Sequence, residues 1–259
     1  MLNSEKYIGV FDSGVGGLTV VKWLLNKYPN ENIIYLGDTK HVPYGDKTNE
    51  QIISYVKDDV NFLSTYDLKT ILIACNTADA IASDSIKKQS NVPIYGVLDA
   101  TAKKAAQTTQ NNKIGVIATS AAIKSQQYEK HIAKYNVHAK VFSEACPFLV
   151  PLIEDGKFDI SNQEMRIILE DYISPLIEND IDTLILGCTH YDLISPIVID
   201  MYPNLNVVSS SRCIVDEIQN KIELNKNQNS EQLYFVSSDR KRFNQIASMI
   251  MKNVEAKEI

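Results

Sequence analysis

This 259-residue sequence predicts an α/β fold of two pseudo-symmetric lobes, each a mainly parallel sheet flanked by helices, and three observations predict it. Short apolar, β-branched runs recur from one end of the chain to the other. Helical spacings of apolar residues lie between them. Two of the runs, with the residues that follow, are echoed later in the chain in the same order and at nearly equal offsets.

The runs stand at residues 7–11, 33–36, 70–74, 94–97, 114–117, 140–142, 183–186, 206–208 and 233–236. Several are apolar throughout rather than alternating, the pattern of strands covered on both faces of a parallel sheet. Ile52, Val56, Val60 and Leu63 fall on one helical face, as do Met165, Leu169, Tyr172 and Leu176, and Phe243, Ile246 and Ile250 repeat the spacing later. In parallel sheets ligands bind beyond the carboxyl ends of the strands. The residues just after each apolar run therefore carry the most functional information.

The echo pairs Ile8-Gly-Val-Phe-Asp-Ser13 with Ile114-Gly-Val-Ile-Ala-Thr119, and Ile71-Leu-Ile-Ala-Cys-Asn-Thr77 with Leu184-Ile-Leu-Gly-Cys-Thr-His190. One such pair would pass as chance. Two ordered pairs, each ending in polar residues, point to duplication, with the first unit ending near residue 97 and the second beginning by residue 99. A pseudo-two-fold axis would then bring Cys75 and Cys188 to equivalent positions on a shared cleft between the lobes.

Composition narrows the function classes. With 26 basic against 32 acidic side chains and a formal charge of −6, the chain has no long Lys/Arg block to grip a phosphate backbone, so no nucleic-acid partner is expected. No stretch approaches the roughly 20 apolar residues of a membrane span, so no membrane partner is expected either. The opening MLNSEKYIGV lacks the basic end and long apolar stretch of a secretory signal. Cysteines 75, 146, 188 and 213 make neither a disulfide scaffold nor a C-x-x-C pair. The expectation is a reduced, cytoplasmic protein whose special cysteines are reactive thiols.

Cys75-Asn76-Thr77 and Cys188-Thr189-His190 each follow an apolar strand, and a helix should start there with Thr77 or Thr189 near its cap. A helix N-terminus lowers the pKa of a nearby thiol. Either cysteine alone would read as a small core residue; two in repeat-equivalent places before polar residues reverse that judgement. Cys146 and Cys213 lack this context and read as structural. Asp12-Ser13-Gly14-Val15-Gly16-Gly17 ends the first strand, where glycines admit a ligand and Ser13 can donate, although Asp12 reads equally as a turn residue. Neither nucleotide-binding glycine fingerprint fits its spacing, which leaves Asp38 as only a weak ribose-binding acid. Tyr44 and Gly45, at a Pro-fixed turn, offer a hydroxyl and backbone N–H groups suited to a carboxylate, or ordinary turn chemistry. Glu154 on its own reads as solvated. Cys75, Cys188, His190 and Asp12 are zinc-compatible types, but their spacing is not that of a structural zinc site, and Cys-x-His in an extended segment points to opposite sides; no metal is expected. His41, His131 and His138 have no partner pattern and read as surface residues.

Taken together, Asp12-Ser-Gly-Val-Gly-Gly17, Gly37-Asp-Thr39, Val42-Pro-Tyr-Gly45, Ala74-Cys-Asn-Thr-Ala78, Ala145-Cys-Pro147, Val150-Pro-Leu-Ile-Glu154 and Leu186-Gly-Cys-Thr-His-Tyr191 resemble the glutamate racemases, cofactor-independent enzymes of the aspartate/glutamate racemase superfamily. The likeness runs from about Ile8 to Tyr191. It implies an active site between the lobes, interconversion of L- and D-glutamate, no cofactor, a role in peptidoglycan supply and a homodimer. It implies that Cys75 addresses the D-enantiomer and Cys188 the L-enantiomer, assisted by Asp12, Glu154 and His190. Asp12, Ser13, Tyr44, Gly45, Asn76, Thr77, Thr119, Thr189 and His190 match substrate-contacting positions. It also implies that the C-terminal segment returns to the first lobe, giving lobes of residues 1–97 plus 209–259 and of residues 98–208.

The chain departs from the family pattern at four places. Asp99-Ala100 stands for Glu-Pro, Ala122 for a substrate-side Thr, Asp192 for the Pro after Cys-Thr-His-Tyr, and Ser209-Ser-Ser for an Asp-containing turn. These leave both thiols in place and bear on substrate preference. Two alternatives stay open beside glutamate racemisation: a racemase of aspartate or another amino acid, and a weakly active homologue acting as a binding protein.

Overall fold

The computed structural model describes residues 6–88, 90–225 and 230–259; the first five residues of the opening segment read above for a leader lie outside the described residues. Strands β1 (Tyr7–Asp12), β2 (Ile33–Gly37), β3 (Leu68–Ile73), β4 (Ile94–Gly96), β5 (Lys113–Ala118), β6 (Lys140–Ala145), β7 (Thr183–Gly187), β8 (Asn206–Ser209), β9 (Gln232–Val236) and β10 (Lys257–Glu258) alternate with helices. The first nine coincide with the nine apolar runs. Val97, read as strand, opens the helix Val97–Thr108 instead. The exposed pair β10 has no apolar signal to reveal it.

Two sheets result, ordered β10-β9-β2-β1-β3-β4 and β6-β5-β7-β8, with every pairing parallel. Laying β2-β1-β3-β4 on β6-β5-β7-β8 matches the two orders strand for strand. Cys75 follows β3 and Cys188 follows β7, so the echoed motifs occupy corresponding strand ends. The chain returns to the first sheet at its end, because β9 pairs with β2 and β10 with β9.

Side-chain patterning explains how the sheets are covered. Helix Asn49–Leu63 begins where the Thr48 hydroxyl and Gln51 side chain form a capping box, and buries Ile52, Val56, Val60 and Leu63. That stripe packs on Phe11, Ile34, Ile71 and Ile73 of the first sheet. Each fully buried aliphatic side chain contributes roughly 1.5–3 kcal/mol, against about 1 kcal/mol for a cap. The stripe therefore holds the helix, and the cap fixes where it starts. Helix Gln163–Ile177 covers the second sheet through Met165, Leu169, Ile173 and Leu176. Tyr172 is only half-buried, so the stripe runs through Ile173 instead of the expected tyrosine. Helix Arg240–Ile250 buries Phe243, Ile246 and Ile250 in a core cluster that also holds Ile8 and Val10 of β1 and Ile114 and Val116 of β5. One continuous core thus joins the inner faces of both sheets.

Candidate active site

The carboxyl ends of β1, β3, β5 and β7 surround a cavity of about 630 Å³ whose walls include Ser13, Cys75, Thr77, Thr119, Cys188 and Thr189. Residues from both sheets line it. The segment after β1 reaches the second sheet at close quarters: a Cβ on Gly16 would lie 2.4 Å from both Thr189 Oγ1 and His190 Nδ1. Glycine is required here because the turn after β7 fills the space of a side chain.

On one side of the cavity, Cys75 itself is the N-cap of helix Asn76–Lys87, its sulfur accepting from Ala78 N–H at 3.5 Å; the capping threonine expected from sequence, Thr77, lies inside the helix. The thiol donates to Ser13 Oγ at 3.6 Å. Burial, reinforced by the charge of Asp12, pushes Cys75 up to about 12. This corrects the expectation of a lowered thiol: desolvation of a sulfur at the floor of the cavity outweighs the helix terminus. Asn76 Nδ2 donates to Tyr128 Oη (2.8 Å) and Ser210 Oγ (2.9 Å), while its buried Oδ1 has no protein donor. Thr77 and Thr119 share a hydroxyl–hydroxyl bond of 2.8 Å between the two sheets' strand ends.

On the other side, Cys188 precedes the 3₁₀ turn Thr189–Ile194. The turn folds His190 back, placing Nδ1 3.8 Å from Cys188 Sγ. The expectation that Cys-x-His diverges held for an extended segment; the tight turn overturns it. His190 Nε2 lies 3.2 Å from Glu154 Oε1, and Arg242 Nη2 donates to Glu154 Oε2 at 3.2 Å. Burial alone would lower the imidazole, but its bonds to Cys188 and Glu154 and the charges of Cys188 and Asp12 push it up to about 10. Burial also opposes charge on Glu154, yet His190 and Arg242 hold its carboxyl below its usual value. Glu154 is thus a half-buried partner rather than a solvated acid. Asp12 joins the two sides: Oδ1 accepts from Thr189 Oγ1 (3.3 Å) and Oδ2 from Gly14 N–H (3.0 Å). Burial raises Asp12 despite the opposing charge of His190 and these bonds.

The remaining sequence candidates divide. Gly45 lines the cavity, and so does Tyr44, but the Tyr44 hydroxyl bonds Asp38 Oδ2 at 2.7 Å, with Asp59 Oδ2 at 3.2 Å, and is occupied in holding its loop. His41 stacks on Tyr55 and bonds Asp38 at 2.8 Å, and His131 bonds Asp99 at 2.9 Å, so both have the partners denied to them by sequence; His138 is exposed. Cys146, read as purely structural, is buried and lines the cavity, whereas Cys213 lies outside it. Asp99, Ala122 and Asp192, three of the departures from the family pattern, do not line the cavity. Sequence reasoning missed Arg242, Tyr128 and Ser210. Their partners lie 88, 52 and 134 residues away, and no local spacing encodes such contacts. Among the described residues no group of three or more His, Cys, Asp or Glu side chains is arranged to hold a metal ion.

Comparison with known proteins places this geometry among relatives. A family model described as Asp/Glu/Hydantoin racemase matches residues 31–218. A glutamate racemase of Sulfurihydrogenibium sp. is 38% identical over 253 residues, covering 97% of this chain and 96% of that protein. One from Neisseria meningitidis is 40% identical over 243 residues, covering 92% and 89%. A solved glutamate racemase from Bacillus anthracis superposes with a TM-score of 0.92 at 34% identity, covering 99% of this chain and 98% of that one. Another, from Francisella tularensis in complex with D-glutamate, superposes at 0.89 with 33% identity, covering 98% and 97%.

Proposed function

The chain belongs to the Asp/Glu/hydantoin racemase family, and from that premise we propose that it interconverts L- and D-glutamate by a two-thiol acid/base mechanism without a cofactor, supplying D-glutamate for peptidoglycan. The observation that carries the reading is the meeting of Cys75 and Cys188, from corresponding strands of two matched sheets, on one cavity. We take the lobes as residues 1–97 plus 209–259 and residues 98–208, closing on the substrate.

Racemisation takes the α-proton from one face of the amino acid and returns a proton to the other. Two bases on opposite faces achieve this without moving the substrate. In the resting enzyme Cys75 keeps its proton, since burial raises it to about 12, while Cys188 faces the His190 imidazolium. With L-glutamate, Cys188 thiolate takes the α-proton: the Cα–H bond breaks and S–H forms. Cys75 then gives its proton to the opposite face, and its S–H bond becomes the new Cα–H. D-glutamate runs the same steps in reverse from the opposite protonation state.

The carbanion between these steps needs preorganised donors at the substrate's carboxylate. Ser13, Thr77, Thr119, Thr189 and the Tyr44–Gly45 turn line the cavity, and their hydroxyls and backbone N–H groups are the donor types this requires. The unpaired Asn76 Oδ1 suits the substrate ammonium. Asp12 and Glu154 support the charge on His190.

The test is an amino-acid panel followed by ¹H NMR in D₂O. Glutamate of either hand should lose its Cα–H signal and racemise, with the highest kcat/KM of the panel. A higher kcat/KM for aspartate would reassign the substrate. Measurable binding with no exchange for any amino acid would make the chain a binding protein.

A further inference from the structure

Arg242 bridges the two lobes at the cavity. It lies on helix Arg240–Ile250, packed against the first sheet, and reaches Glu154 at the end of helix Leu149–Glu154 on the second. It is the one Lys or Arg among the described residues lining the cavity. The Arg242 side chain is 64% exposed, whereas the Glu154 side chain is only 15% exposed. An exposed ion pair adds little to stability. What this one does is divide a half-buried carboxylate, with Oε2 given to Arg242 and Oε1 to His190 Nε2, both at 3.2 Å. His190 Nδ1 is then left toward Cys188 Sγ at 3.8 Å. The charged groups facing His190 are Cys188, Glu154 and Asp12; those facing Glu154 are His190 and Arg242.

The geometry points to Arg242 as a positioning residue for the Cys188 half of the reaction: reaching over from the first lobe, it fixes Glu154, which fixes His190 against the Cys188 sulfur. A rigid second partner matters because an imidazole ring held at one nitrogen only can swing about that bond, and proton transfer depends on the sulfur–imidazole alignment. A planar guanidinium fixes the carboxylate plane, which a lysine ammonium does less well. The inference rests on the reading above for its kinetic part and stands independently for its thiol-reactivity part.

Four variants test it: R242Q, R242K, E154Q and the E154Q/R242Q double variant. Arg242 is exposed, so its variants should keep the wild-type circular dichroism spectrum. R242Q should lower kcat about tenfold with KM within about twofold, and R242K should recover most of the loss. Iodoacetamide labelling followed by peptide mass spectrometry should show Cys188 modified about fivefold more slowly in R242Q at neutral pH, with Cys75 unchanged. In the E154Q background, adding R242Q should change neither readout by more than about twofold. Unchanged Cys188 labelling in R242Q overturns the assignment. So does an R242Q effect that persists in full without Glu154, or one that falls on KM alone, since either means that Arg242 acts on the substrate directly. A wild-type protein that fails to racemise glutamate defeats the functional reading, and the labelling arm still decides the role of Arg242.

Discussion

The two cysteine-bearing strand ends occupy corresponding places in the two sheets and differ in their chemistry. Cys75 donates to a serine hydroxyl, accepts from one helix N–H and lies near the buried Asp12, whose charge disfavours a second negative one. Cys188 stands beside an imidazolium tied to a carboxylate, itself tied to an arginine from the other lobe. The two sheets thus offer matched strand ends, and the side chains around the two sulfurs make them chemically unlike. A two-base racemase needs that difference, because its resting form must hold one proton between two sulfurs.

The sharpest way to break this comparison is to remove one sulfur at a time. Cys75→Ala and Cys188→Ala should each lower racemisation by at least about 10³-fold. Because the two enantiomers have equal free energy, kcat/KM must stay equal in both directions in any variant; the asymmetry appears in one-sided solvent exchange. Cys75→Ala should still exchange the α-proton of L-glutamate in D₂O, and Cys188→Ala that of D-glutamate more slowly, since Cys75 holds its proton. Exchange of the same enantiomer by both variants would end the two-face assignment. Next in size, His190→Asn should cost about 10²-fold in kcat/KM by removing the cation beside Cys188 while leaving Cys75 labelling by iodoacetamide unchanged.

Gly16→Ala should come third. Its Cβ would meet the Thr189–His190 turn at 2.4 Å, and overpacking of this kind costs roughly 1–3 kcal/mol, readable as a lowered Tm together with reduced activity. The smallest effect is on pH dependence. His190 is raised from 6.5 to about 10, so the stability it contributes is complete below pH 6.5 and disappears as pH rises through 10. The Tm gap between wild type and His190→Asn should narrow over that window, and wild-type kcat/KM should fall on its alkaline side.

Much of this was legible because parallel strands announce themselves. Nine apolar runs located nine strands, and a motif echo located the two sulfurs, since a strand end fixes where the next residues go. Protonation was not legible. The helix-terminus argument applied to Cys75 in isolation, whereas its affinity is set by burial and by Asp12, 63 positions earlier in the chain. The Cys188–His190 contact was misread because the alternation rule assumes extended backbone, and the chain makes a 3₁₀ turn there. Arg242 escaped notice because its meaning lies wholly in a partner on the other lobe.

Strand β9 carries one more consequence. It lies beside β2 in the interior of the first sheet, yet it is synthesised after the whole second sheet. During translation the second lobe can complete its pairing while β2 still presents an open row of amide and carbonyl groups, the kind of edge that recruits other chains. A nascent chain arrested before residue 232 would therefore leave that row open to other chains, and the final segment acts as its seal.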